Sequence, residues 1–192
     1  VGDNIELGDN RVVVEEYESV SETVWITEDV YVNSTQANRN YSDSAYLYSN
    51  DSVSIRSLLK FNLPSGNITS ATLRLHGWLY DDSSPFYIRA LKGDWDYQTV
   101  TWNNRPASDL IITTPTYQES KGYYRWIEID ITPVVRAWEQ GQQNHGIEVY
   151  CGGDAYAYSS RYLNPACHPH VVFTVSSEEK VPKAVLGDLG GL

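Results

Sequence analysis

The chain has 192 residues, with 14 Lys and Arg against 25 Asp and Glu, for a formal net charge of −11. That length suits one domain with room for tails, and the acidic balance excludes a nucleic-acid partner, which needs a basic face to replace phosphate counterions. No apolar run approaches the roughly 18 residues of a membrane-spanning helix. Met is absent, even at position 1, which reads as a processed, exported chain.

Taken in chain order, the sequence opens on a polar leader and the β-prone residues Val12, Val13 and Val14. Short strand-type runs follow at positions 24–26, 30–32, 45–48 and 55–63, each bounded by Ser, Asn, Asp or Pro. Residues 72–78 alternate with period two, setting Leu73, Leu75 and Gly77 opposite Thr72, Arg74 and His76. His76 reads as solvated on that polar face. Further runs occur at 86–91, 146–150, 155–158 and 171–175. Residues 125–131 alternate more cleanly, with Trp126, Glu128 and Asp130 opposite Ile127, Ile129 and Ile131. This is the pattern of half-buried antiparallel strands. One short helix is expected where Thr132 caps, Pro133 takes the first position and Gly141 stops the turn. The expected fold is all-β: an antiparallel β-sandwich of jelly-roll type with one short helix and extended terminal segments. Its organisation is an extended segment at 1–23, the sandwich at 24–176 and an apolar, glycine-rich tail at 177–192.

Cys151 and Cys167 flank a loop between strand-like runs. In an oxidising compartment they would form a disulfide, the alternative being two buried thiols. Sequons begin at Asn33, Asn40, Asn50 and Asn67. They suit either a glycan-covered face or a polar loop region that happens to match. With the missing Met, these features point to an extracellular or cell-surface glycoprotein.

No nucleophile elbow, zincin motif or phosphate loop occurs, so no enzyme is expected. His168 and His170 stand two residues apart beside Cys167, too few ligands for a zinc site once the cysteine is paired. Asp94 and Asp96 flank Trp95 and are weak candidates for a structural calcium, which takes loop oxygens; no other cofactor is expected. Sugar binding needs aromatic platforms beside hydrogen-bonding groups. Trp78 with Tyr80, and Trp126 with Tyr124, are the candidate carbohydrate platform. Arg74, Arg89, Lys92 and Arg125 are the cations from which a basic groove for an anionic polysaccharide would be built.

The motifs resemble a known family. Residues 56–63 (RSLLKFNL) and 70–75 (SATLRL) resemble two successive strands of the DNRLRE domains. Trp95 followed by 99–106 (TVTWNNRP) resembles their most recognisable stretch, and 129–138 (IDITPVVRAW) with 144–147 (NHGI) resembles their helix and following strand. Residues 159–161 (SSR), 164–165 (NP) and 169–172 (PHVV) resemble the closing strands. These domains are related to disaggregatase-related repeats and to an alginate-binding carbohydrate-binding-module family. The resemblance spans most of 29–175 and implies a secreted or surface jelly roll without catalytic residues. Asn62 and Tyr97 stand where the family commonly carries carboxylates.

Both ends lie outside the resemblance. A tail of the composition of 181–192 is ordinarily disordered unless tied down, either by folding back on its own domain or by adding an extended segment to a neighbour's sheet edge. Val12, Val13, Val14, Val185, Leu186, Leu189 and Leu192 are therefore the candidate assembly residues. The sequence reading favours self-association into a filament or surface layer, with polysaccharide binding as its alternative.

Overall fold

The structure is a computed structural model; it describes residues 7–8, 11–52, 54–80, 84–115 and 124–186, with side chains for 18–52, 54–80, 84–115 and 124–176. Twelve strands appear among the described residues: β1 (Leu7–Gly8), β2 (Arg11–Trp25), β3 (Glu28–Asn33), β4 (Tyr46–Ser49), β5 (Ile55–Lys60), β6 (Asn67–Leu79), β7 (Phe86–Leu91), β8 (Ser108–Thr113), β9 (Arg125–Asp130), β10 (Ile147–Cys151), β11 (Ala155–Tyr158) and β12 (His170–Leu186). One α-helix among the described residues, α1 (Thr132–Glu139), joins β9 to β10.

All pairings are antiparallel. Seven strands form one sheet in the order β1-β2-β12-β6-β11-β4, with β9 also on β6. Because Thr72, Leu73 and Arg74 pair with both β12 and β9, those two strands flank opposite edges of β6. The second sheet runs β3-β5-β10-β7-β8. The period-two alternation sends Leu73, Leu75, Ile127, Ile129 and Phe173 from the first sheet, and Leu59, Ile88, Ile147 and Val149 from the second, into one shared core. The fold is the β-sandwich that the alternation predicts.

Helix α1 closes the core with Val134, Val135 and Trp138, the Trp138 ring lying 5.5 Å from Phe61. The start of the helix differs from expectation. Thr132 is the first helical residue, and its hydroxyl accepts from the Ala71 N–H at 2.9 Å. The side chain that caps the entry is Asp130, whose carboxylate accepts from the Thr132 N–H at 2.9 Å. A second, smaller cluster of Val30, Val32, Tyr41, Leu58, Leu91, Trp95 and Val100 lies on the outer side of the five-stranded sheet. There Trp95 donates its indole N–H to the His145 carbonyl at 2.8 Å.

Beside that cluster Glu148, only 3% exposed, sits among three guanidinium groups. Arg105, Arg89 and Arg56 approach its carboxylate at 3.5, 3.6 and 4.0 Å. Burial lowers the Arg105 pKa from its ordinary value, and Glu148 counters that shift. A carboxylate that compensates several half-buried cations is costly to remove. Glu148→Gln is expected to lower stability by about 3 kcal/mol, measured by denaturant unfolding.

The expected disulfide is not formed, and both cysteines are thiols. Cys151 faces the core from β10, whereas Cys167 sits in a 3-10 turn (Pro165–Cys167) where its sulfur accepts from the Asn164 amide at 3.6 Å.

The terminal segments pair with each other, the first of the two arrangements that their composition allows. Beyond Ser176, where pairing with β6 ends, β12 continues with β2 through Lys180↔Tyr17, Val185↔Val13 and Leu186↔Val12. Two residues of β1 fold back on Arg11 and Val12. Backbone groups along this ribbon are thus paired within the chain. Only the backbone is described at Val12, Val13, Val14, Val185 and Leu186, and Leu189 and Leu192 lie outside the described residues.

Candidate functional site

The outward positions of the seven-stranded sheet are paved with rings. On β6 the alternation that buries Leu75 and Leu79 turns His76 and Trp78 outward, and on β9 it turns Trp126 outward. The run Ala155-Tyr156-Ala157-Tyr158 puts two alanines into the core and two tyrosines on the face, and Tyr46-Leu47-Tyr48 repeats the device on β4. In register, Tyr156 pairs with Trp78 and Tyr48, and Tyr158 with Tyr46, so the rings fall in adjacent rows.

The contacts form one continuous tract. Trp78 stacks on Tyr80 with centroids 5.5 Å apart and meets Tyr124 at 5.6 Å and Tyr156 at 5.9 Å. Tyr124 stacks on Tyr158 at 5.1 Å, and Tyr162 stacks on the same ring at 3.6 Å. His76 lies parallel to Tyr158 at 5.5 Å and edge-on to Trp126 at 5.1 Å. From Trp126 the tract continues to His170 and then Trp25, at 4.9 Å each.

Tyr80, Trp25, Tyr48 and Tyr124 keep 54, 50, 39 and 38% of their surface exposed. Large apolar rings so exposed and contiguous mark an interaction surface. At one end they line a groove of about 530 Å³, whose wall includes Tyr46, Tyr48, Tyr80, Tyr124 and Tyr156 with Asn50 and Asp154 at its polar edge. Asn50 donates its amide to the Asp154 carboxylate. A hydrogen bond with Tyr156 raises the Tyr80 pKa, and burial followed by a hydrogen bond with Tyr162 pushes Tyr158 to about 12. These phenols therefore stay neutral and able to donate throughout the physiological range.

Two devices hold the face in shape. Asp29, fully buried, is bound by the Arg161 guanidinium at 2.6 Å and by the Ser160 N–H and hydroxyl at 2.7 and 2.8 Å, fixing the turn that carries Tyr162. Gly77 is the second, because a Cβ there would lie 2.4 Å from the Tyr156 carbonyl oxygen and 3.0 Å from the Ala157 Cα. Gly77→Ala is expected to cost about 1–3 kcal/mol through overpacking and to spread Tyr156 from Trp78. Thermal unfolding checks the first effect and ligand titration the second.

His76 is not the solvated residue expected. Rings enclose it, its Nδ1 is buried without a hydrogen-bond partner, and desolvation lowers its pKa below 6.5. A histidine with a depressed folded pKa binds its proton less readily than in the unfolded chain. The fold consequently loses stability as pH falls past the ordinary histidine value, and the loss levels off below the lowered one. His76→Phe is expected to flatten that part of a Tm-versus-pH profile.

The four platform residues taken from the sequence, Trp78, Tyr80, Tyr124 and Trp126, lie on this one face. Sequence reasoning missed Tyr46, Tyr48, Tyr156 and Tyr158, although their tyrosine alternation with Ala or Leu carried the signal. The four cations considered for a basic groove are dispersed. Arg74 pairs with Glu128 at 2.8 Å, Arg89 belongs to the Glu148 cluster on the other sheet, Lys92 pairs with Asp109 at 2.8 Å, and Arg125 begins β9.

The calcium candidates each have a polar partner. Asp94 pairs with Lys60 at 3.1 Å, which lowers its carboxyl pKa, and Asp96 accepts from the Gln98 N–H at 2.8 Å. Among the described residues no three His, Cys, Asp or Glu side chains gather. Of the sequons, the Asn40 amide donates to the Tyr97 and Val100 carbonyls at 2.9 and 2.7 Å, bonds that a glycan on that nitrogen would disrupt. Asn33 accepts from the Thr35 N–H at 2.9 Å, and Asn67 donates to Ser176 at 2.9 Å.

A two-sheet sandwich with a ring-paved outer face has the build of a carbohydrate-binding module. The model of carbohydrate-binding module family 96 matches residues 20–166, and the chain belongs to that family. Among named proteins it is similar to the tRNA nuclease WapA of Bacillus subtilis, 25% identical over 178 residues that take in 80% of this chain and 7% of that protein. It is also similar to the tRNA3(Ser)-specific nuclease WapA of Bacillus spizizenii, 24% identical over the same shares. The chain thus spans only a small part of those relatives. No helix among the described residues is long and apolar enough to cross a membrane.

Proposed function

We propose that this chain is a non-catalytic carbohydrate-binding module that takes a polysaccharide on the outer face of the seven-stranded sheet. The observation that carries this reading is the ring tract from Trp25 to Tyr80 with the groove at its end. Sugar rings have an apolar face that stacks on aromatic rings and a rim of hydroxyls that pair with groups such as the tyrosine phenols, Asn50 and Asp154. Family membership supports the same reading. The nuclease activity in the relatives' names belongs to proteins of which this chain matches 7%, and among the described residues the face offers stacking surface. An exported, extracellular setting accords with a polysaccharide ligand. Affinity electrophoresis against a polysaccharide panel tests the reading: the intact chain should be retarded, and equal migration of the intact chain and a Trp78→Ala variant in every gel would refute it.

Filament assembly through the ends draws less support, because the segments it depends on are paired with each other.

A further inference from the structure

Exposure along the ring tract is concentrated at its two ends. Trp25 keeps 50% of its surface at one end, and Tyr80 and Tyr48 keep 54 and 39% at the other. Between them His170 is buried and Trp126 is half-buried. The register fixes how far apart the ends are. Trp25 and Arg74 pair with His170 from opposite sides, so Trp25 stands two strand spacings from β6 at the level of Arg74. Tyr80 follows Trp78 just beyond the end of β6, and Tyr48 lies two strands past Trp78, through Tyr156. With strands about 4.8 Å apart and a rise of about 3.4 Å per residue, either ring is roughly 20 Å from Trp25.

Arg74 occupies the interval. Its guanidinium lies over the Trp126 ring at 4.9 Å and pairs with Glu128 at 2.8 Å, while its Nε is buried without a hydrogen-bond partner. A hydrogen-bonding cation thus stands between two stacking stations. A pyranose with its linking oxygen advances a sugar chain by about 5 Å at ordinary bond lengths near 1.5 Å, so about four or five units reach from one station to the other. A shorter ligand can stack at either station but not at both. In a longer one, the second contact is made within the same complex, at a high effective concentration. We infer that the face reads a stretch of about four or five sugar units, with Trp25 as a second stacking station remote from the groove. The inference rests on the proposed carbohydrate-binding reading and adds to it the length of ligand engaged.

The test is titration of the whole chain with size-fractionated oligosaccharides of alginate, mannan and cellulose, in steps from dimers to octamers. For at least one series, affinity is expected to rise about tenfold or more between trimers and hexamers and then to level off. Trp25→Ala should leave dimer and trimer binding within about twofold and weaken hexamer binding about tenfold. Trp25→Tyr, which keeps a stacking ring, should retain most of the gain, and Trp78→Ala should weaken binding at every length. Affinity already level at the dimer would overturn the two-station inference and leave the groove as a sugar site, provided that Trp78→Ala still abolishes it. So would a Trp25→Ala effect that is absent, or equal, at all lengths. No binding in any series, or binding that Trp78→Ala leaves unchanged, would overturn both readings.

Discussion

Replacing Trp78 and Tyr156 together by Ala is expected to weaken polysaccharide binding by about 30-fold or more, since buried aromatic contacts each contribute roughly 1–2 kcal/mol or more at an interface. The two residues are register partners on β6 and β11, with ring centroids 5.9 Å apart in the middle of the tract. Both point away from the core, so their removal leaves Leu75, Leu79, Ala155 and Ala157 packed as before. The cost to folding is that of one cross-strand pair, about 1 kcal/mol. The measurement is isothermal titration beside thermal unfolding. A double variant that binds like the parent would place the ligand elsewhere, and one that unfolds would show that the rings support the sheet.

The other large effect concerns Arg161. Its guanidinium is the charge partner of Asp29, which has no solvent exposure of its own. Arg161→Ala would leave that carboxylate buried and uncompensated, a change expected to cost about 3–5 kcal/mol and to lower Tm by roughly 10 °C. The two Ser160 hydrogen bonds moderate the loss without replacing the cation. Combining the change with Asp29→Asn removes the stranded charge, so the double variant should be more stable than Arg161→Ala alone. Calorimetry on the three variants checks this ordering. Tyr162, which stacks on Tyr158 from the same turn, should lose its fixed position as well.

Local alternation made much of the fold legible. Strands β6 and β9 bury every second side chain, so both their existence and their facing follow from the letters. Strand β8 gave no such signal: its residues are only partly buried or exposed on both sides, and Leu110 keeps 48% of its surface. The Asp29–Arg161 pair links positions 132 residues apart, and no local pattern announces it. Separation along the chain likewise hid the pairing of β2 with β12, because the β-prone N-terminal segment and the apolar tail each show no partner when read alone. The cysteine pairing failed for a related reason, as separation along the chain does not tell which side of β10 Cys151 faces.

The β2–β12 pairing sets how the molecule carries load. The two strands run out side by side from the sandwich, so tension applied at residues 11 and 186 pulls across the ladder and breaks its hydrogen bonds one after another. That is the peeling direction, in which resistance stays low until the ribbon has opened back to Ser19 and Ser176, where β6 joins and the load reaches a wider sheet. In single-molecule extension the ribbon is expected to release first, as a compliant step that leaves the ring-bearing sandwich folded. A single event at high force, without that early step, would contradict it.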